Sequence, residues 1–557
     1  MKRDLKELSD NKFDIIIIGA GIYGAALAWE ASLRGLSVAL IDRGDFGAAT
    51  SANSLKIMHG GLRYLQQMDI KRFRESIRER HLLLRLAPHL VSPMPCVLPT
   101  TGHKMKGPEV MAVGLLLNDI LSCDRNNGVD HDRHIPRGRI VSRKRCLELA
   151  PGLDPQGING GAFWSDAQAY SSERLLLAFI KTAVEIGCVA ANYLGATSLI
   201  RRESRIEGVQ VEDRLQGDRF EIRGDIIINT AGAWVDDLLG KNSGSGPLLS
   251  LSTAMNLVVK RKLLQETALG FQAPFTFRRE DGSIYNGRRV LFMAPWRDYT
   301  LIGTYHLPYS GHPSDMQVKE EEIQGFLEEI NKGYPGDPVK REDVSHVYKG
   351  FLPMNGLNPT NGEVSLVKHY RILDHAKEDR VENLISVVGV KYTTARDVAE
   401  KTLRLALAKL GKSRNLPLLR PRYLCGGNIS SFSALLSEAR QGKPTTISEE
   451  TATRMTRLYG ADYPDLMNMK GIKLQSLNGY AEAITSEIYY AVREEMAVTL
   501  SDILLRRTDI GSGSCPQEET LRQVAAIAGK ELGWDAARTQ AEIDDLKAVY
   551  ETTGKSE

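Results

Sequence analysis

The stretch Phe13 to Arg43, FDIIIIGAGIYGAALAWEASLRGLSVALIDR, leaves this chain few choices. Phe13 to Ile18 is a short β-branched run, by length and composition a buried parallel strand. Gly19-Ala20-Gly21-Ile22-Tyr23-Gly24 follows at once, and Ala25 to Arg34 reads as a helix ended by Gly35. Ser37 to Ile41 is a second strand closed by Asp42, 18 residues beyond Gly24. This is the βαβ dinucleotide fingerprint in its required context. Gly19 permits the tight turn, Gly21 lets a pyrophosphate approach the backbone, and Gly24 lets helix and strand pack closely. The helix N-terminus offers free N–H groups and a positive dipole end to the phosphates. Asp42 is placed to accept from a ribose hydroxyl. The motif alone permits NAD or FAD.

At 557 residues the chain exceeds one ordinary domain, so two or three lobes are expected. With 42% apolar and 25% charged residues it has material for a sizeable core. Its net charge of +3 gives no preference for polyanions, and no basic stripe points to nucleic acid. Cys96, Cys123, Cys146, Cys188, Cys425 and Cys515 are scattered without a CxxC, which suits a reducing compartment and argues against a disulfide frame or a metal site. The charged N-terminus reads as no secretory signal, and no apolar run approaches the roughly 18 to 20 residues of a membrane span. Val110 to Leu121, VMAVGLLLNDIL, is the most apolar surface candidate; a buried helix is the favoured reading over membrane contact.

Beyond Asp42, a loop of small and hydroxyl residues runs through Thr50 and Ser51 into SANSLKIMHGGLRYL, Ser51 to Leu65. Ile70 to Ala87 reads as an amphipathic helix, Arg139 to Ser172 as a run of turns, and Leu175 to Ile186 as a helix. Ala190 to Tyr193, Thr197 to Arg201 and Gly208 to Glu212 read as a short meander. Asp225 to Trp234, DIIINTAGAW, is a second strand-and-turn anchor. Asn383 to Ala399, NLISVVGVKYTTARDVA, is a third, with a helix starting near Thr394.

The spacing Thr-Ser…Ser-x-Lys-x-x-His-Gly-Gly-Leu-Arg-Tyr-Leu, followed in order by the other two anchors, resembles the FAD-dependent glycerol-3-phosphate dehydrogenases. The resemblance covers nearly the whole chain and is weakest between about Gly102 and Gly160 and in the inserted domain. It implies an α/β (α+β overall) protein: a Rossmann-like FAD-binding domain, an inserted antiparallel-sheet substrate domain and a C-terminal α-helical cap. The implied boundaries are 1–100 for the first part of the FAD domain, 101–170 for a surface insertion, and 171–245 for its second part. Residues 246–348 would form the β-rich substrate domain, 349–415 the return to the FAD domain and active site, and 416–557 the helical domain.

The resemblance further implies oxidation of a secondary alcohol to a ketone, most simply sn-glycerol 3-phosphate to dihydroxyacetone phosphate, with electrons passed to a quinone. It implies a cytoplasmic protein, peripheral on the inner face of the cytoplasmic membrane, and a homodimer. Gly19, Gly21, Ile22, Tyr23, Gly24, Asp42, Arg43, Thr50, Ser51, Ser54, Lys56, His59, Gly60, Gly61, Ala196, Ala231, Gly232, Gly389, Val390, Lys391, Tyr392 and Thr393 are then expected on FAD. His59, Arg63, Tyr64 and Lys391 are the expected catalytic group, with His59 or a water held by Lys391 as base and cationic Lys391 or Arg63 stabilising a developing alkoxide. Arg63, Tyr64, Asn256, Lys349, Lys368, Lys391 and Thr393 are expected near substrate.

The chain departs from the family pattern at the phosphate site. The family's Gly-x-Arg-Pro turn is Gly350-Phe351-Leu352-Pro353 here, a second family arginine aligns with Lys368, and a family histidine aligns with Asn256. Leucine cannot replace an arginine fork. Lys349, Lys368 or Arg371 are the expected substitutes, and the alternative is a sister enzyme for another polyol, a hydroxy acid or an amine. A silent flavin-binding protein is a further alternative, which His59, Arg63 and Lys391 argue against.

Overall fold

Four consecutive isoleucines in the first strand serve two cores at once. The computed structural model describes residues 1–240, 248–279, 282–420 and 422–551. Its first half contains α1 (Leu5–Asp10), β1 (Lys12–Ile18), α2 (Ile22–Ser32), β2 (Val38–Ile41), β3 (Ile57–Met58), α3 (Leu62–Gln66), α4 (Ile70–Leu86), β4 (Val91–Thr101) and α5 (Pro108–Leu121). Then come β5 (Arg139–Ser142), α6 (Arg143–Leu149), β6 (Ile158–Ala169), α7 (Ser172–Glu185), β7 (Val189–Ala191), β8 (Leu194–Arg202), β9 (Arg205–Asp213), β10 (Arg219–Asn229) and α8 (Val235–Leu239). β1 pairs in parallel with both β2 and β10. Ile15 and Ile17 pack beneath Ala25, Ala28 and Leu27 of α2, whereas Ile16 and Ile18 pack on the opposite face with Leu194, Val209 and Ile222. A strand buried on both faces explains the unbroken apolar run.

The remaining strands and their helices are β11 (Ser250–Val259), β12 (Ala268–Arg278), β13 (Ile284–Trp296), β14 (Tyr299–Tyr309), α9 (Glu320–Gly333), β15 (Val344–Leu357), β16 (Val364–Leu366), β17 (Arg371–Asp374), α10 (His375–Glu378), β18 (Leu384–Val388) and α11 (Ala395–Lys409). The nucleotide sheet runs β17-β18-β10-β1-β2-β7, with β8 and β9 as a meander beside β10. The second sheet runs β16-β15-β11-β14-β13-β12-β4-β6-β3, with β5 on β6. Ile323, Phe326 and Ile330 of α9 cover one of its faces, against Met255, Leu257, Phe271 and Met293.

This second sheet redraws the expected organisation. The segment 101–170, read as a surface insertion with a run of turns, supplies β5 and β6, and β6 pairs with β4 from Val91↔Ala169 to Thr101↔Ile158. Glycines and prolines there suggested turns, but Pro93, Pro95 and Pro99 sit within β4, whose pairing to β6 survives them. The stretch 349–357, expected in the returning FAD domain, lies in β15 of the substrate sheet. The return itself is made by β17 and β18. The expected boundary at 245/246 lies outside the described residues.

α5 is a second departure. Only Met111 and Leu115 are buried, packing with Trp164, Met94 and Ala162. Val110, Val113, Leu116, Leu117 and Ile120 are between 40% and 61% exposed, so the helix presents an apolar face outward instead of burying it. α3 lies against α5.

The C-terminal part contains α12 (Phe432–Gln441), α13 (Glu449–Tyr459), α14 (Tyr463–Met467), the hairpin β19 (Ser476–Leu477) and β20 (Tyr480–Ile484), α15 (Thr485–Glu494), α16 (Glu518–Leu532) and α17 (Ala536–Ala548). Pro421, expected in the linker, lies outside the described residues. Buried ion pairs dock this part on the FAD domain. Asp45 binds Arg507 at 2.6 Å and Arg506 at 2.5 Å, and Arg174 and Lys181 of α7 bind Glu495 at 2.6 and 3.1 Å. Cut from either partner, such charges would be buried without compensation.

Candidate active site

Three loops meet above the C-terminal ends of the nucleotide-sheet strands, two from the first 65 residues and the third from beyond residue 388. The first is the glycine turn. Gly19 adopts φ +97°, and a Cβ on Gly24 would lie 2.0 Å from the Gly19 carbonyl oxygen. Thr230, after β10, donates its hydroxyl to the carbonyls of Ile18 and Gly19 at 2.9 and 2.7 Å, so the second anchor locks the first. The Ile22 N–H, at the start of α2, donates to Ser51 Oγ at 3.0 Å. Asp42 accepts from the Ala20 and Gly44 N–H groups at 2.7 and 2.9 Å, and burial pushes its carboxyl up to about 6. Arg43 lies 4.3 Å over the Trp234 ring. Ser54 Oγ accepts the Lys56 N–H, Ala196 is half-buried in β8, and Ala231 and Gly232 form the turn after β10. Gly232, at φ +59°, has no atom within 4 Å of where a Cβ would stand.

The second loop follows β3. His59 Nδ1 lies 3.1 Å from Asp166 Oδ2 on β6, and its ring meets Phe292 of β13 edge-on at 5.5 Å. Asp166 Oδ1 accepts the Gly60 N–H and Arg80 Nη1, each at 2.7 Å. Gly60 has no room for a side chain, because Arg80 Nη1 stands 2.2 Å from its missing Cβ. Gly61 turns with φ +89°. Lys56 does not reach outward. Its buried ammonium binds Glu173 at 2.6 Å and Ser172 Oγ at 3.1 Å, under the rings of Trp296 and Tyr348. Its place in the site is to pin the loop to α7.

The third loop, Gly389 to Thr393, follows β18. The Tyr23 hydroxyl bridges into it, and Gly389 exists because a Cβ would fall 2.0 Å from the Tyr23 ring. Lys391 Nζ donates to the His59 carbonyl at 3.2 Å and to Ser76 Oγ of α4 at 2.9 Å, over the Tyr64 ring at 4.9 Å. Burial depresses the Lys391 ammonium to about 7, with Arg72 and Arg80 adding repulsion and Asp166 opposing it. Tyr392 donates to the Ser172 carbonyl at 2.7 Å, and Thr393 is buried against Met58. Arg63 is exposed on α3, beside this cluster.

The substrate sheet forms the facing wall. Asn256 accepts from Thr304 Oγ1 at 2.8 Å and donates to the Asn53 carbonyl at 3.3 Å. Lys349 sits one register position away, opposite Met255, so it points to the α9 face. Its nearest carboxylate influence there is Glu322, and burial lowers its ammonium to about 8. It is not brought to the Asn256 side. Lys368 is exposed near α3, where neighbouring His369 lies 4.0 Å from Asp69. Arg371 is occupied by the Leu248 carbonyl at 3.0 Å.

Comparison with known proteins bears on this arrangement. Residues 14–392 match the family described as FAD dependent oxidoreductase, and residues 421–539 match the C-terminal domain of alpha-glycerophosphate oxidase. The chain is 30% identical over 91% of its length to a glycerol-3-phosphate dehydrogenase of Synechocystis, covering 90% of that protein. The chain belongs to the FAD-dependent glycerol-3-phosphate dehydrogenase family. The human mitochondrial member is 29% identical over 98% of the chain and is covered over 74% of its own length. The solved glycerol-3-phosphate dehydrogenase of Bacillus halodurans, complexed with FAD, superposes with a TM-score of 0.73 over 99% of the chain and 98% of its own at 23% identity. That likeness confirms the fold.

Membership makes FAD the dinucleotide, and the residues fit it. The α2 N-terminus offers N–H groups beside Gly21 and Ser51, and the space at Gly232 is open. Among the described residues no His, Cys, Asp and Glu cluster could hold a metal. All six cysteines are free. Three polar residues of this site were not singled out from the sequence: Asp166, Arg80 and Ser76. Asp166 carried a signal. It is the one carboxylate in INGGAFWSDAQA, and a charge inside a buried strand demands partners.

Proposed function

We propose that this enzyme oxidises the secondary hydroxyl of sn-glycerol 3-phosphate to the ketone, giving dihydroxyacetone phosphate, and passes the electrons to a quinone. The observation that carries this reading is the meeting of His59, Lys391 and Tyr64, drawn from two distant loops and α3, in front of the glycine turn. Bound FAD supplies the hydride acceptor. His59 Nε2 receives the hydroxyl proton, since Nδ1 is turned to Asp166. In its ammonium form Lys391 Nζ has one further hydrogen bond to donate and orients the reacting oxygen. Arg63 and Lys368, exposed at the mouth, attract the phosphate.

The exposed apolar face of α5 supports peripheral attachment to a membrane. It adjoins α3, so a lipid-borne quinone would approach beside Arg63 and Tyr64. No helix among the described residues is long and apolar enough to cross a membrane.

A second reading is favoured by Leu352, at the position of the family's phosphate-binding arginine, and by Asn256, at that of a family histidine: a sister flavoenzyme for a different polyol, a hydroxy acid or an amine. Anaerobic mixing of the holoenzyme with glycerol 3-phosphate, followed at the oxidised-flavin band near about 450 nm, decides between them. Rapid bleaching is expected. No bleaching with glycerol 3-phosphate, but bleaching with another alcohol or an amine, establishes the second reading.

A further inference from the structure

Asp166 is held by four neighbouring groups. Its Oδ1 accepts Gly60 N–H and Arg80 Nη1 at 2.7 Å each, and its Oδ2 lies 3.1 Å from His59 Nδ1 and 3.4 Å from Trp164 Nε1. It is buried in β6, while the His59 side chain is 39% exposed. An ionised carboxylate only accepts, so the hydrogen of a neutral His59 ring must sit on Nδ1, and the lone pair must sit on Nε2.

We propose that Asp166 is the positioning residue that fixes His59 in the tautomer able to take the substrate's proton. This rests on the reading of His59 as proton acceptor given above. In the step, the substrate O–H bond breaks and an Nε2–H bond forms, while the bonding pair stays on the substrate oxygen. The proton then leaves from Nε2 to solvent. Asp166 does not receive it. Burial opposes its charge, yet the His59 hydrogen bond, Arg80 and the Gly60 N–H together hold its carboxyl well below the usual range. It remains an anion facing the new imidazolium. The other groups around His59 do not compete for Nδ1. Arg80 of α4 and Trp164 of β6 bind the carboxylate, Phe292 of β13 offers only a ring edge, and Lys391 binds the His59 carbonyl.

The same carboxylate also holds Gly60, so loss of activity alone would not separate positioning from folding. Asp166→Asn can present its amide N–H to Nδ1 and force the hydrogen onto Nε2. The expected result is flavin reduction slowed by about 10² to 10⁴-fold, with KM within about threefold and FAD content unchanged. In a His59→Gln background the same change should cost less than about threefold, because its effect runs through the ring. An equal loss in both backgrounds overturns the proposal. If Asp166→Asn fails to retain FAD, Asp166→Ala takes its place in the same cycle, because it removes the acceptor that holds the hydrogen on Nδ1, and it is judged by the same criterion.

One readout needs no substrate. Acylation of His59 by diethyl pyrocarbonate, followed by mass spectrometry of its peptide, should slow at least tenfold in Asp166→Asn. Unchanged acylation overturns the tautomer assignment even if the substrate is correct. A wild-type flavin that no alcohol bleaches overturns the functional reading and leaves the acylation result standing on its own.

Discussion

Tyr23 and Lys391 are joined by their own hydrogen-bond bridge across 368 residues of sequence. The Tyr23 hydroxyl accepts the N–H groups of Val390 and Lys391 at 3.1 Å each and donates to the Lys391 carbonyl at 2.9 Å. The glycine turn proposed to receive the cofactor phosphates and the loop that carries the lysine are therefore tied together. Removing the hydroxyl leaves two partly buried donors and an acceptor unmatched. Tyr23→Phe should lose about 1 to 3 kcal/mol of stability and weaken FAD binding, read by urea unfolding and flavin fluorescence. Unchanged values in both would show the bridge to be idle.

Gly24→Ala should abolish FAD binding. The new methyl group would meet the Gly19 carbonyl at 2.0 Å and Thr230 Oγ1 at 2.8 Å, and neither has room to retreat between β1 and β10. The protein should purify colourless, and a yellow variant with normal affinity would contradict the packing described.

Lys391 makes a prediction with a definite sign. Its folded value of about 7 lies below the ordinary 10.5. Below pH 7 both states hold the proton, and the folded state bears the full cost of the buried charge. Between about 7 and 10.5 the unfolded chain binds more protons, so this contribution becomes less unfavourable as pH rises. Lys391→Met should be the more stable protein at pH 6, by on the order of a few kcal/mol, with the gap closing toward pH 10. A gap independent of pH, measured by denaturant unfolding, would remove the assignment.

Leu352→Arg should lower KM for glycerol 3-phosphate at least tenfold without raising kcat, since a guanidinium restores bidentate phosphate contact. Steady-state assays with a dye acceptor check this. An unchanged KM would mean that the phosphate, if recognised, is held elsewhere.

Leu116→Glu with Ile120→Glu should reduce co-sedimentation with anionic vesicles at least tenfold and leave dye-linked activity intact, because both side chains project away from the sheet. Equal sedimentation of variant and wild type would free α5 from any membrane role.

Much of this was legible in the residues. The βαβ turn and the strands of the two later anchors were readable because parallel strands buried on both faces leave continuous β-branched runs, as in Ile15 to Ile18 and Leu384 to Val388. β6 was not, because INGGAFWSDAQA mixes glycines with polar residues and its order comes from pairing with β4, which is remote information. α5 was misjudged for a related reason: its composition resembles a core helix, and only the location of its partners leaves one face bare. Lys349 and Lys56 looked like ligand-facing cations. One strand register put Lys349 behind the wall, and Glu173, invisible as a partner in sequence, claimed Lys56.

The pairing of Asp45 with Arg506 and Arg507 has a consequence for how this enzyme could be taken apart. Asp45 belongs to the loop after the first βαβ unit, and both arginines belong to the helical C-terminal part. The linker therefore joins two parts that share buried ion pairs. Expressed without the helical C-terminal part, the remainder would leave Asp45 with the Asn192 amide but without either arginine, and it should emerge insoluble or apo. The two parts carry complementary charges in their shared interior, so charge as well as packing sets how they dock.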